Sequence, residues 1–272
     1  MQKGRRLFLT VVGIVASLVY LFPFYIMLTN SFKTKRELFL DTLGFPEKIN
    51  LENYILAWER LDFPRAFMNS LIVTVGSIII ILVFSAMAGW KLERTKTKTS
   101  TFILFFFISA MLVPFQSVML PLIRLMGKLK LLNMPGLIFM YLGFGTSMSI
   151  FLYHGFMKSV PKSLDEAAII DGCNDWQLFW HIIFPIMKPI SVTVAILNAT
   201  WIWNDYLLPS LVINREATLT IPLKVFFFFG EYTKQWNLAM AGLTLAIIPV
   251  VVFYFISQKH IIKSFVEGSI KG

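Results

Sequence analysis

The sequence predicts an all-α integral membrane protein with six transmembrane helices, and three observations predict it. Hydrophobic residues make up 57% of the chain and charged residues 15%, with a mean hydropathy of +0.71, where a soluble domain carries about 25% charged residues. Apolar runs recur along the 272 residues, each close to the roughly 20 residues needed to cross a hydrocarbon core of about 30 Å. Basic residues gather at the ends of those runs, as in MQKGRR and KLERTKTKT, where anionic headgroups attract them.

The spans read in order as follows. Leu7 to Thr29 is the first, introduced by Lys3, Arg5 and Arg6 and interrupted late by Pro23. It is too long for the h-region of a secretory signal, about 7–15 residues, and reads as a retained span. Asn30 to Pro64 mixes Lys33, Lys35, Arg36, Glu37, Asp41 and Glu47 with short apolar patches, so it is expected to be an extramembrane loop. Within it, LENYILAWERL has the pattern of a short amphipathic helix lying on headgroups. Asn69 to Trp90 is the second span, stopped by KLERTKTKT, which carries four positive charges and one negative.

Phe102 to Arg124 is the third span, and it carries Pro114, Gln116 and Pro121. Prolines free carbonyls inside the membrane, so a structural kink and a broken helix lining a polar pathway fit equally well. Gly136 to Met157 is the fourth, where Gly143, Gly145, Ser147 and Ser149 permit close helix packing. Pro189 to Leu208 and Leu238 to Ser257 are the fifth and sixth, followed by the basic tail QKHIIKSFVEGSIKG.

Composition also excludes several function classes. One cysteine, Cys173, rules out an internal disulfide, and His154, His181 and His260 are scattered without a ligand motif, so no metal site is expected. The net charge of +10 is accounted for by the membrane surface rather than by nucleic acid. No phosphate loop of the G-x-x-x-x-G-K-[ST] type occurs, so nothing here binds ATP through that motif. An ion-coupled carrier would show intramembrane carboxylates and an internal repeat, and an intramembrane enzyme a nucleophile or acid–base pair in the bundle. The spans offer almost none of these.

The polar stretch from Pro161 to Pro189 organises the rest. Ser163, Leu164, Asp165 and Glu166 have the form of a capping box, which predicts a helix starting near Leu164 with its acids at the positive end of the dipole. Gly172 is placed to end that helix in the left-handed conformation. Ala167 and Ala168 leave a small flat patch between Glu166 and Asp171, suited to a partner's groove, although an ordinary capped loop helix reads the same way. Asn174 to Gln177 offer a second start, with Trp176, Phe179, Trp180 and Ile183 on one face until Pro185. That stripe fits headgroups or packing beneath the bundle.

The run EAAIIDGCNDWQLFWHIIFP resembles the EAA signature of binding-protein-dependent ABC importer permeases. Glu166, Ala167, Ala168, Gly172, Ile182 and Pro185 stand at the signature positions, and Phe184 replaces the usual leucine. SFK at Ser31–Lys33, NSL at Asn69–Leu71, Pro114, Gln116 and Pro121, IDG at Ile170–Gly172, WND at Trp203–Asp205 and the terminal GSIKG are similar to the carbohydrate branch, on the side of the smaller maltose-type subunit.

The resemblance covers the chain, and it implies a type I ABC importer permease fold. It divides the sequence into a first helix and extracellular loop (1–65), a core domain (66–257) and a cytoplasmic tail (258–272). It also implies a cytoplasmic coupling helix in which Glu166, Ala167, Ala168, Asp171 and Gly172 meet an ATPase, supported by Ser163, Trp176, Trp180 and Pro185. The implied partners are a second homologous permease subunit, two ATPase subunits that hold ATP and Mg, an extracellular solute-binding protein and the lipid bilayer. The implied location is a bacterial-type cell membrane with both termini cytoplasmic. No cofactor is expected on this chain itself.

The translocation pathway is expected to involve Gln116, Asn198, Trp201 and Asp205, the last three sharing a helical stripe that suits a sugar ring. Trp201, Trp203 and Tyr206 fit an interfacial belt as well.

Overall fold

The computed structural model describes residues 2–226 and 235–269. The chain starts with α1 (Gln2–Ser31), α2 (Lys35–Leu40), α3 (Glu52–Leu61) and α4 (Phe63–Thr95). It continues with α5 (Lys98–Ala110), α6 (Phe115–Lys128), α7 (Met134–Met157) and α8 (Ser163–Ile170). Then come α9 (Asp175–Leu178), a π turn (Phe179–Ile183), α10 (Phe184–Ile186), α11 (Lys188–Asn204), α12 (Leu207–Val212), α13 (Ile221–Phe226) and α14 (Trp236–Ser269).

Four helices among the described residues are long and apolar enough to cross a membrane, and two bent pairs raise the number to six if each counts as one span. Span ends differ from the sequence expectation for physical reasons. α4 has 33 residues, or about 50 Å at 1.5 Å per residue, because Lys91–Thr95 continues the helix rather than stopping it. The expected single third span is α5 and α6, bent by 103°. Pro114, extended at φ −62° and ψ 138°, stands as the N-cap of α6, so the break is a corner and not a kink. The fifth span ends at Asn204, since Asp205 is extended. The sixth runs on as helix to Ser269. The tail's contacts and the last three residues of GSIKG lie outside the described residues.

Of the described residues, those to Ala66 and from Ile221 to Val252 form one compact unit, and those from Phe67 to Thr220 and from Phe253 onward form another. In the first unit, α1 has none of its most apolar window buried by the chain. Its hydroxyls satisfy themselves, Thr10 donating to the Arg6 carbonyl at 2.9 Å and Ser17 to that of Gly13 at 2.8 Å, as a lipid-facing helix requires.

The end of α1 is fixed by polar contacts. Lys33 is fully buried and donates through Nζ to the Asp41 carbonyl at 2.6 Å. Asn53 donates to the carbonyls of Ser31 and Lys33, both at 2.8 Å, and accepts from Asn237 at 2.8 Å. These bonds give α3 a packed side that the headgroup expectation did not include: Asn53, Ala57 and Leu61 form its buried face, packed on α13.

The loop after α2 turns on Asp41, whose Oδ1 accepts from the amides of Gly44 at 2.8 Å and Leu43 at 3.1 Å. The Gly44 bond holds the carboxyl below its ordinary value of 3.8, with help from the Leu43 amide and nearby Lys33. A depressed folded value means that the turn's stabilisation is complete above the unfolded value and is lost as pH falls through the folded one. Hydrogen-exchange protection of the Leu43 and Gly44 amides is therefore expected to drop over the window from the unfolded carboxyl value down through the depressed folded one. Equal protection factors across that window would contradict it.

In the second unit α7 is the central helix, packed against α5, α11 and α12. Tyr141, Tyr153, Leu137 and Met157 on it are fully buried. Close approach is set by glycine. A side-chain carbon on Gly89 would stand 2.6 Å from Tyr153 Cβ, and one on Gly145 would stand 2.5 Å from Ile81 Cδ1. The small residues of the fourth span thus act in packing at Gly145 and at buried Ser147 and Ser149, whereas nothing lies within 4 Å of a carbon added at Gly143.

Candidate functional site

Between α7 and α11 the chain leaves the bundle, and this is where the sequence placed its main site. The connection from Lys158 to Lys162 leads into α8, which starts one residue earlier than the capping pattern implied. Lys162 occupies the N-cap, its carbonyl accepting from the Asp165 and Glu166 amides at 2.9 and 3.1 Å, and no side chain caps the helix. The expected Ser163–Glu166 capping box is therefore absent: Ser163 is already the first helical residue. The Glu166 side chain is exposed, and no hydrogen bond or ion pair holds it among the described residues.

The C-terminal end follows the sequence expectation closely. Gly172 has φ +86°, its amide bonds the Ile169 carbonyl at 3.0 Å, and the Cys173 amide bonds that of Ala168 at 3.0 Å. Those two bonds are the Schellman arrangement that satisfies the helix's last carbonyls. No atom lies within 4 Å of a carbon added at Gly172, so the need for glycine is conformational alone. Gly172→Ala is expected to destabilise the α8 terminus by about 1–2 kcal/mol, measured by thermal unfolding and by faster exchange of the Cys173 amide. An unchanged transition would show that the turn relaxes freely.

The two faces of α8 differ. Asp165 and Ala168 are buried at 8% and 3% exposure. Ser163, Glu166, Ala167 and Ile170, at i, i+3, i+4 and i+7, are exposed, Ile170 by 85%. This corrects the expected contact patch: Ala167 is available, while Ala168 is spent inside the chain. Asp171, the C-cap, is exposed beside Gly172.

Asp165 is held by Arg94, which donates through Nε to its carboxylate and through its other nitrogens to the carbonyls of Met157 at 3.4 Å and Val160 at 3.2 Å. The two side chains are only 12% and 11% exposed. A buried pair of this kind loses about 3–5 kcal/mol when one partner is removed. The neighbouring pair Lys91–Asp175 at 2.7 Å is 59% and 69% exposed and is worth about 1 kcal/mol or less. Glu93, buried at 6%, meets His154 Nε2 and Lys96 Nζ, both at 3.2 Å. KLERTKTKT is thus not simply a headgroup-facing flank; its first turn grips α7, α8 and α9. Nothing local in the sequence signalled this: Lys162 stands three residues before Asp165, yet Asp165 pairs with Arg94.

After Gly172 a capping box does form, one step later than expected: Asn174 Oδ1 accepts from the Gln177 amide at 2.9 Å and Gln177 Oε1 from the Asn174 amide at 3.0 Å. The aromatic stripe divides. Phe179 and Ile183 are fully buried, Trp180 is half-buried and Trp176 is 62% exposed. Phe179 contacts Trp90 at 5.8 Å and Trp180 at 5.1 Å. Pro185 has no amide proton and its ring excludes the carbonyl four residues back, and the turn before it widens into the π turn, with Phe184 N–H bonding the Phe179 carbonyl.

The expected pathway residues do not form one cluster. Gln116 is exposed in the first turn of α6. Asn198 is a correction: it is buried at 8% and donates to Ser149 Oγ at 3.2 Å and to its own helix at Val194, which makes it a packing contact between α11 and α7. Trp201, 42% exposed, meets Tyr141 edge-on at 5.4 Å, and Tyr141 donates its hydroxyl to Asp205 at 2.9 Å. Asp205 also accepts from the amide of Leu207, the first residue of α12, at 3.0 Å. The sequence reading missed Tyr141. Asn69 entered it only within the NSL motif; its amide holds the Ala217 and Leu219 carbonyls at 3.0 Å. No group of three or more metal-ligating side chains occurs among the described residues.

The chain is similar to known proteins over nearly its whole length. The chain is 53% identical, over 98% of its length and 97% of the relative's, to the probable starch degradation products transport system permease protein AmyC of Thermoanaerobacterium thermosulfurigenes. It is 36% identical to the multiple sugar-binding transport system permease protein MsmG of Streptococcus mutans, over 94% of each chain. It is 32% identical to the melibiose/raffinose/stachyose import permease protein MelC of Bacillus subtilis, over 99% of this chain and 98% of that one. Its fold matches a chain of a bacterial ABC transporter involved in alginate import, with a TM-score of 0.79 at 22% identity over 95% and 96% of the two chains. It is a membrane transport component with the all-α type I ABC importer permease fold. With residues 81–266 matching the binding-protein-dependent transport system inner membrane component family, the chain belongs to that family.

Proposed function

We propose that this chain is one of two permease subunits of an ATP-driven oligosaccharide importer and that α8 is its docking element for a separate ATPase. The observation that carries the coupling role is the division of α8: one face anchored through Asp165 and Ala168, the other presenting Glu166, Ala167 and Ile170. A small residue between a carboxylate and a large apolar side chain suits a groove lined by apolar and basic groups. In this reading Glu166 pairs with a partner cation, Asp171 makes a rim contact, and Gly172 turns the chain back. ATP and Mg are bound by the two ATPase subunits, whose closure moves α8 and switches the bundle between inward and outward openings.

The kinship with the AmyC protein supports oligosaccharides released from starch as the cargo, delivered by an extracellular binding protein. A second, homologous permease completes the pathway. Gln116, Trp201 and Asp205 are its candidates on this chain, with Tyr141 holding Asp205 in place. Six crossings put both termini on the α8 side, the cytoplasm.

Expression of the chain with its neighbouring genes, affinity purification and reconstitution in proteoliposomes tests this. Co-purification of ATPase subunits and ATP-dependent uptake of maltotriose are expected. A stable complex without an ATPase would refute the coupling reading, and uptake of no oligosaccharide would refute the cargo.

A further inference from the structure

We infer that Arg94 is a positioning residue for coupling: its guanidinium locks α8 to the ends of α4 and α7, so that displacement of α8 reaches both helices together. The inference rests on the proposed docking role of α8. Arg94 lies in the last turn of α4, and its three contacts fall on successive pieces of chain: Met157 ends α7, Val160 lies in the connection, and Asp165 lies in α8. One planar group with donors in a fixed fork therefore spans the whole connection.

Covalently, α8 is joined to α7 by the connection alone, Lys158 to Lys162. Such a segment transmits a pull better than a push. The buried pair changes this, because separating Arg94 from Asp165 would leave a desolvated charge without its partner. Among the described residues no other ion pair reaches α8. Glu93–His154 joins α4 to α7 only, and Lys91–Asp175 joins α4 to α9 in solvent. The other buried contact of α8, Ala168, is apolar and can slide.

The test uses the assembled transporter in proteoliposomes and measures bound ATPase subunits, ATP hydrolysis and maltotriose uptake for Arg94→Ala, Arg94→Lys and Asp165→Asn. Bound subunits and hydrolysis are expected to persist in all three. Uptake per ATP is expected to fall by roughly 2- to 30-fold in Arg94→Ala and Asp165→Asn, the range over which residues between coupled sites act. Arg94→Lys is expected to recover part of it, since an amine reaches Asp165 without forking to both carbonyls. Asp165→Asn keeps shape and an acceptor oxygen, so it decides the matter if Arg94→Ala does not fold.

Wild-type uptake per ATP in the folded variants would overturn the inference. So would losses of uptake and hydrolysis in strict proportion to lost subunits, which is what a purely structural contact would give. Absence of ATPase subunits from the unaltered complex would instead overturn the docking role of α8, and this inference with it.

Discussion

Ile170→Asp is expected to remove ATPase subunits from the complex and to stop ATP-dependent uptake, while the chain itself stays folded in the membrane at wild-type amounts. Ile170 is 85% exposed, so in the isolated chain a charge there replaces apolar surface already in water. Substitutions of that kind change stability by about 0.5 kcal/mol or less. In a docked helix the same side chain would be enclosed, and a carboxylate in an apolar groove loses its water without gaining a partner. An anchor residue at the centre of an interface is worth about 2 kcal/mol or more, so affinity for the ATPase should drop at least roughly 30-fold. Pull-down from detergent, with the thermal transition of the chain as control, separates the two effects. Retention of the ATPases and of uptake would show that the exposed stripe of α8 is not a docking surface.

Gly89→Val should have the opposite signature, a loss of fold before any loss of partner. A carbon at Gly89 would lie 2.6 Å from Tyr153 Cβ and 3.0 Å from the His154 amide nitrogen. Neither is the end of a flexible side chain, so α4 and α7 must move apart. Overpacking of this sort costs about 1–3 kcal/mol, and separation also strains the Glu93–His154 contact at 3.2 Å and weakens the support beneath α8. Expression in the membrane and the midpoint of thermal unfolding in detergent measure it, with Gly143→Val as the matched control, since no atom lies within 4 Å of a carbon added there. Equal stability of the two variants would mean that the α4–α7 spacing is not set at Gly89.

Local features were legible in the sequence because their causes are local. Apolar length located the spans, and Gly172 was placed in the left-handed conformation from a pattern a few residues wide. Pro114 marked a break because proline removes a donor wherever it sits, yet the 103° angle depends on what α5 and α6 meet afterward. The EAA pattern identified the family by resemblance, which the comparisons bear out over residues 81–266.

What was not legible has one cause in common. Asp165 stands in the first turn of α8 as expected, but its pairing with Arg94, 71 residues away, has no local signal. Ala168 was assigned to a partner and Asn198 to a pathway, although both are buried within the chain, one on α8 and the other against Ser149. For α3 only a headgroup-facing side was read, and the ties from Asn53 to Ser31, Lys33 and Asn237 on its other side were not. These points concern which face of a correctly expected helix is covered.

The sequence by itself determined that the chain crosses a membrane repeatedly and that a short polar helix ended by Gly172 interrupts the spans. Hydrophobic length and backbone conformation suffice for that. Only the tertiary structure decided that Asp165 and Ala168 are anchors and that Ile170 and Glu166 are offered outward. Covering one face of a helix takes contacts from distant segments, and a residue's neighbours along the chain do not specify them.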